Sequence, residues 1–297
     1  MLDRGPRSRR LRVTVQYVEV AAQATAGGAN LRRSKHTGLP SRLLALWQRR
    51  RAVRLLVARD LKVRYASSAL GYLWSVLEPL LLAGIYWFVF TQVFTRTVGA
   101  EPYMVFLLAG LLPWTWFNGA VIDAARALHT EAKLVRSTNV PREVWIVRVV
   151  LSKGVEFLLS LPVLFAFALL YSAPVDWHLV LLVPGILLMS VLVLGIGLLL
   201  APLVVLVRDL ERIVRIALRL GFYASPVIFA VSDVPEPWDA VFAFNPLAGI
   251  FELCRAGFFP GAVNWGHVGL SAVVSFGLLA LGWSVFARLE RTVLKEI

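Results

Sequence analysis

Apolar blocks of bilayer-spanning length, with few charges inside them, recur along this chain, and a soluble fold has no use for so many of them. They fall at about 73–94, 103–125, 146–171, 179–207, 212–231 and 265–287. Crossing a hydrocarbon core of about 30 Å takes about 20 helical residues. Only 16% of residues are charged and 58% are apolar, with a mean hydropathy of +0.71; soluble domains sit near a quarter charged and half apolar. The expected fold class is therefore an all-α polytopic membrane protein with six transmembrane helices. The fourth block is about 29 residues, or about 43 Å at helical rise, so tilt or a bend is expected, with Pro184-Gly185 and Pro202 as its sites. The fifth is the weakest, because its uncharged core Leu220–Val231 follows Arg215 and Arg219 and contains Pro226.

The charges supply the orientation. Of 31 Lys and Arg, all but Arg96 and Arg255 fall before residue 72, in 126–153, in 208–219 or after 287, the alternate connections between blocks. The other connections hold Glu101, Asp176, Asp233, Glu236, Asp239 and Glu252. That asymmetry follows the positive-inside rule and places both termini in the cytoplasm, in a multi-pass protein of the plasma (inner) membrane. The net charge of +13 thus reads as topology and contact with anionic membrane lipids, and no nucleic acid partner is expected. Cys254 is the single cysteine, so no intramolecular disulfide is possible. The first long apolar run begins after residue 70, so no cleavable signal peptide is expected.

Four regions are expected. Residues 1–40, rich in Arg, Gly, Ala and Ser, read as a mobile cytoplasmic extension; the alternation Leu11, Val13, Val15, Tyr17 has nothing near it to pair with. Residues 41–70 hold an amphipathic helix capped by Ser41, with Val53, Leu56, Val57, Leu61 and Tyr65 on one face and Arg51, Arg54, Arg59 and Lys62 on others. It would lie in the membrane interface or pack on a partner. The membrane domain follows at 71–290, then a cytoplasmic tail at 291–297. Between the last two blocks, residues 235–262 are too polar to span and too apolar for a solvated loop. Short helices against the outer leaflet or a pore mouth are expected there, with Cys254 as a thiol reachable from outside.

Little catalytic chemistry is present. A phosphate-binding loop ends in Gly-Lys-Ser/Thr, and the dipeptide Gly-Lys never occurs. His36, His129, His178 and His267 are scattered, so no metal site and no directly bound cofactor are expected. Charges inside spans invite functional readings; here Glu78, Asp123 and Glu156 also admit structural ones, and Lys153 with Glu156 suggests an ion pair on one helix face. Trp74, Tyr86, Trp87, Phe90, Trp114, Trp116, Phe117, Phe222, Tyr223 and Phe229 lie in or beside the blocks. They are either interface anchors or rings on which sugar C–H faces could slide.

A set of short motifs carries a family resemblance. Residues 56–65 (Leu-Val-Ala-Arg-Asp-Leu-Lys-Val-Arg-Tyr) and 70–80, with Leu70-Gly71, Trp74 and Glu78-Pro79, are similar to the opening of type-2 ABC exporter permeases. Asn139-Val140-Pro141-Arg142-Glu143, Val207-Arg208-Asp209-Leu210, Tyr223-Ala224-Ser225-Pro226 and Phe244-Asn245-Pro246-Leu247 extend the likeness over residues 41–290. The resemblance implies a homodimer paired with two cytoplasmic ABC ATPase subunits that bind ATP and Mg, exporting lipid-linked polysaccharide such as O-antigen, teichoic acid or galactan. Composition looks most like the actinobacterial galactan exporters. It further implies ATPase coupling through Arg59, Asp60, Lys62, Arg64, Lys133, Arg136, Pro141, Arg142 and Glu143. The aromatics above would line the glycan channel, and Asn245, Pro246, Phe251, Glu252 and Arg255 would form an outer gate. The rivals are a small-molecule exporter of the same family, a membrane-embedded glycosyltransferase and an ion-coupled carrier.

Overall fold

In the computed structural model, residues 49–65, 71–93, 99–138, 140–261 and 263–296 are described. The extension 1–40, the cap Ser41, Arg96 and Asn139 fall outside them, as does the side chain of Arg64. All regular structure among the described residues is helical. Helix α1 is Arg50–Tyr65, α2 Trp74–Trp87, α3 Tyr103–Ala125, α4 Ala127–Thr130, α5 Ala132–Ser137 and α6 Glu143–Leu170. Then come α7 Leu182–Leu206, α8 Leu210–Tyr223, α9 Asp239–Ala243, α10 Ala248–Arg255 and α11 Trp265–Glu296. A π-helical turn, Phe88–Val93, prolongs α2, and a 3-10 turn, Trp177–Leu181, leads into α7.

Among the described residues, five helices are long and apolar enough to cross a membrane: Val76–Val93, α3, α6, Trp177–Leu206 and α11. Within them α3 is central, 78% buried against 17–33% for the others. The others turn leucines, valines and aromatics outward, among them Leu81, Ile85, Leu158, Leu187 and Phe276. An outer surface of that kind is stable against hydrocarbon and costly against water. Gly195 of α7 and Gly282 of α11 face each other, since a Cβ on Gly282 would lie 2.2 Å from the Gly195 carbonyl oxygen. Without a side chain at either position the two backbones touch, as small residues permit between membrane helices.

The fifth block forms α8, 14 residues and about 21 Å long, shorter than the other spans. Val214 and Leu218 bury its inner edge, while Arg212, Arg215 and Arg219 are exposed. The chain then leaves helical geometry at residues 224–230, around Pro226. The fourth block runs as one α-helix from Leu182 to Leu206 with Pro202 inside it, and α11 carries the last span unbroken into the terminal segment as far as Glu296.

Two apolar clusters mark the ends. The first, at the basic end, joins Val53 and Leu56 of α1 to Leu128, Val135, Trp145, Leu198 and Phe286. α1 therefore lies on the chain's own bundle. Arg59 departs from expectation: it is buried, 4% exposed, because it stands seven residues after Ala52 and three after Leu56 on the inward face. A larger cluster fills the body of the bundle and its acidic end. The segment 235–262 does form two short helices, but only α9 is exposed. In α10, Ile250, Phe251, Leu253 and Cys254 are buried, so the outer-leaflet placement fails for that helix. Its apolar residues face protein, which composition does not distinguish from lipid. Cys254 is correspondingly out of reach of an aqueous thiol reagent.

Candidate functional site

At the basic end, four charges from three elements converge under the first apolar cluster. Glu131 stands in the one-residue break between α4 and α5, where its carbonyl accepts from the Leu134 and Val135 amides. That turn aims its carboxylate at α1 and α6. Arg59 donates to Glu131 at 2.5 Å and to Asp60 at 3.0 Å. Arg148, near the start of α6, donates to Asp60 at 2.8 Å and Glu131 at 3.1 Å. The result is a closed square of alternating sign in which each guanidinium meets both carboxylates. Burial disfavours charge on Glu131, but Arg148 and Arg59 outweigh it and hold the carboxyl below its ordinary range. Burial likewise opposes charge on Arg59, and Glu131 and Asp60 overcome it and raise its pKa. Arg148 also stacks on Trp145 at 5.0 Å.

The square ties the entry helix, the connection between α3 and α6, and the body of the bundle into one unit. Of the expected coupling residues, Arg59 and Asp60 belong to the square, and Glu143 is buried in the first turn of α6, where an acid suits the helix dipole. Lys62, Lys133 and Arg136 are exposed around it, and Pro141 and Arg142 are half-buried in the turn before α6. Sequence reasoning missed Glu131 and Arg148. Each carried a signal: Glu131 is an acid in a strongly basic connection, and Arg148 is a charge inside an apolar block.

At the acidic end a second polar arrangement holds the irregular backbone that follows α8. Backbone carbonyls outside a helix are costly in an apolar bundle unless they find donors. Arg255, 3% exposed, donates to Pro226 O at 2.8 Å and Val227 O at 2.5 Å. Tyr103 donates to Ile228 O at 3.0 Å, and Asn245 donates to Ala224 O and to Ser225 Oγ, both at 2.9 Å. The guanidinium lies 3.7 Å from the centroid of Phe106. Gly110 admits it, because a Cβ there would stand 2.3 Å from Arg255 Nη2. Of the expected gate residues, Asn245 and Arg255 thus clasp one segment and Pro246 lies beside it. Phe251 is fully buried in the bundle, and Glu252 pairs with His267 at 2.6 Å.

The aromatics divide. Tyr86 stacks on Phe222 at 6.0 Å, and Phe222 meets Trp114 at 5.4 Å and Tyr223 at 5.2 Å, joining α2, α3 and α8 along one wall. Trp74 and Tyr223 are exposed, and Trp87 is half-buried. Trp114, Trp116 and Phe117 are buried on the central helix; Trp114 and Phe117 pack together behind that wall, whereas Trp116 turns to Phe157 of α6. Phe90 packs edge-on against Tyr103, and Phe229 against Phe242. Asp123 pairs with Arg126 at 2.6 Å, and the expected Lys153–Glu156 pair is present at 3.1 Å.

Comparison with known proteins agrees with this architecture. The sequence profile of the ABC-2 type transporter family matches residues 51–259. An O-antigen export system permease protein RfbA of Klebsiella pneumoniae is 33% identical over 240 residues, covering 80% of this chain and 91% of the relative. A protein of the same name from Myxococcus xanthus is 33% identical over 216 residues, covering 72% and 82%. The polysialic acid transport protein KpsM of Escherichia coli is 27% identical over 253 residues, covering 82% and 95%. A profile match over most of the length, relatives aligned nearly end to end, and described residues that form a helical bundle with five long apolar helices place this chain in the ABC-2 type transporter family.

Proposed function

We propose that this chain is the membrane subunit of an ATP-driven exporter of polysaccharide. The observation that carries the reading is the likeness, at 33% identity over 240 residues, to a permease named for O-antigen export. The cargo is a lipid-linked glycan of the O-antigen or cell-wall galactan type, taken from the cytoplasmic to the outer face of the plasma (inner) membrane. Two copies of the chain stand together with two ABC ATPase subunits, which bind ATP and Mg. The basic end, with both termini, faces the cytoplasm, in keeping with the distribution of Lys and Arg.

In this reading the ATPase subunits engage the rim of the square at the exposed Lys133 and Arg136 and the half-buried Arg142. Their movement passes through Glu131 and Arg148 into α6, and the glycan runs along the exposed faces of α2 and α8, past Trp74, Tyr86, Trp87, Phe222 and Tyr223. Residues 224–228 and the clasp on them form the outer stop. The test is deletion of the gene with complementation. Cells without the chain should accumulate lipid-linked glycan on the cytoplasmic side and lose it from the surface. Normal surface glycan in the deletion, with sensitivity to a small toxic compound instead, would favour the small-molecule exporter.

A further inference from the structure

A cleft of about 320 Å³ opens between α2, α3 and α6, apart from the square and the clasp. Glu78 of α2 lies in one wall, exposed and with no ion pair or hydrogen bond among the described residues. Lys153 and Glu156 of α6 form the opposite wall, about 15 Å along that helix from its start and therefore within the spanning part. Trp116 and Phe157, stacked at 5.0 Å, supply aromatic surface between them.

The chemistry of the lining narrows what fits. The Lys153 ammonium is already held by Glu156 at 3.1 Å and Asp123 at 3.7 Å. An anion such as a phosphate would find the cation taken and meet the carboxylates of Glu78 and Glu156. An acyl chain would strip water from those carboxylates with no return. The Thr115 and Ser160 hydroxyls donate to carbonyls of their own helices, which leaves their lone pairs to accept. The indole N–H of Trp116, in the wall, is buried without an acceptor, a costly condition that a hydroxyl oxygen would relieve. Many acceptors, an unused donor and aromatic faces suit a ring that bears hydroxyls at its edge and C–H groups on its face. The volume, at the low end for ligand pockets, admits one such ring and no chain.

We propose that this cleft is a binding subsite for a single uncharged sugar ring. The inference rests on the export function proposed above for its biological meaning, and two sources share the chemistry: a sugar unit of the cargo, or the headgroup of a neutral membrane glycolipid.

The experiment is native mass spectrometry of the full chain with its ATPase partner in neutral micelles, titrated separately with monogalactosyl diacylglycerol, diacylglycerol and phosphatidic acid. The galactolipid should bind in preference to both others. Trp116→Phe, which keeps the ring and deletes the N–H, and Glu78→Gln should each weaken it about fivefold while leaving phosphatidic acid unchanged. Both variants are close in shape to the original residues, and unchanged subunit stoichiometry and melting temperature would show that they fold. Preference for phosphatidic acid, or equal galactolipid binding by wild type and both variants, overturns the subsite. In cells, export reduced by Glu78→Gln assigns the ring to the cargo, and full export assigns it to a bilayer glycolipid. A wild-type complex that binds the galactolipid yet exports no glycan would sink the function proposed above and leave the subsite standing.

Discussion

Arg255 holds together backbone that cannot satisfy itself. Its fork reaches two successive carbonyls, Pro226 O and Val227 O, from a site that excludes water. Arg255→Met should strand both acceptors and destabilise the folded chain by about 1–3 kcal/mol per group, read as a lower melting temperature in detergent. Arg255→Lys should rescue little, because an ammonium cannot span both oxygens as a planar fork does. Full stability of the methionine variant would show that the carbonyls have other donors. At the basic end the same logic gives a pH dependence. The folded Glu131 carboxyl titrates below its unfolded value near 4.3. Its contribution is therefore complete above about pH 4.3 and is lost as pH falls through the lower, folded value. Protease cleavage between α4 and α5 should stay slow at pH 5 and accelerate only below about pH 4. Acceleration already between pH 7 and 5 would contradict the pairing.

Among the elements, the crossing of α7 and α11 is set by Gly195 and Gly282. Gly282→Leu should force the backbones apart and cost about 1–3 kcal/mol or more. Gly277→Leu, on the same helix where a Cβ meets nothing within 4 Å, should stay within about 0.5 kcal/mol. Equal melting temperatures for the two variants would mean that the crossing tolerates a side chain. Such packing was not legible in the sequence, because Gly195 and Gly282 look alike whether they face a helix or lipid. What was legible were features carried by composition and spacing: the long blocks at 103–125 and 265–287, and the Lys153–Glu156 pair. The interior burial of Arg59 and α10 was not, since an apolar helix face does not announce its neighbour. The Arg255 clasp was likewise hidden, because it joins residues 28 apart or more through backbone atoms that carry no sequence signal.

For the whole molecule, the square at the basic end makes transmission testable apart from stability. Glu131→Arg sets three cations against Asp60 and should uncouple ATP turnover from export while the complex still assembles. Adding Arg148→Glu restores two charges of each sign and should recover part of the export. Failure of assembly in the single variant would make the square a structural support only. The decisive measurement uses proteoliposomes that contain this chain, its ATPase partner and a labelled lipid-linked glycan on the face exposed to ATP. The chain alone should turn over no ATP. The full complex should make the glycan accessible to an enzyme trapped inside, only when ATP is added and only when both subunits are present. ATP turnover by the isolated chain, or a complete complex that hydrolyses ATP and moves no glycan, would contradict an export subunit driven by its partner.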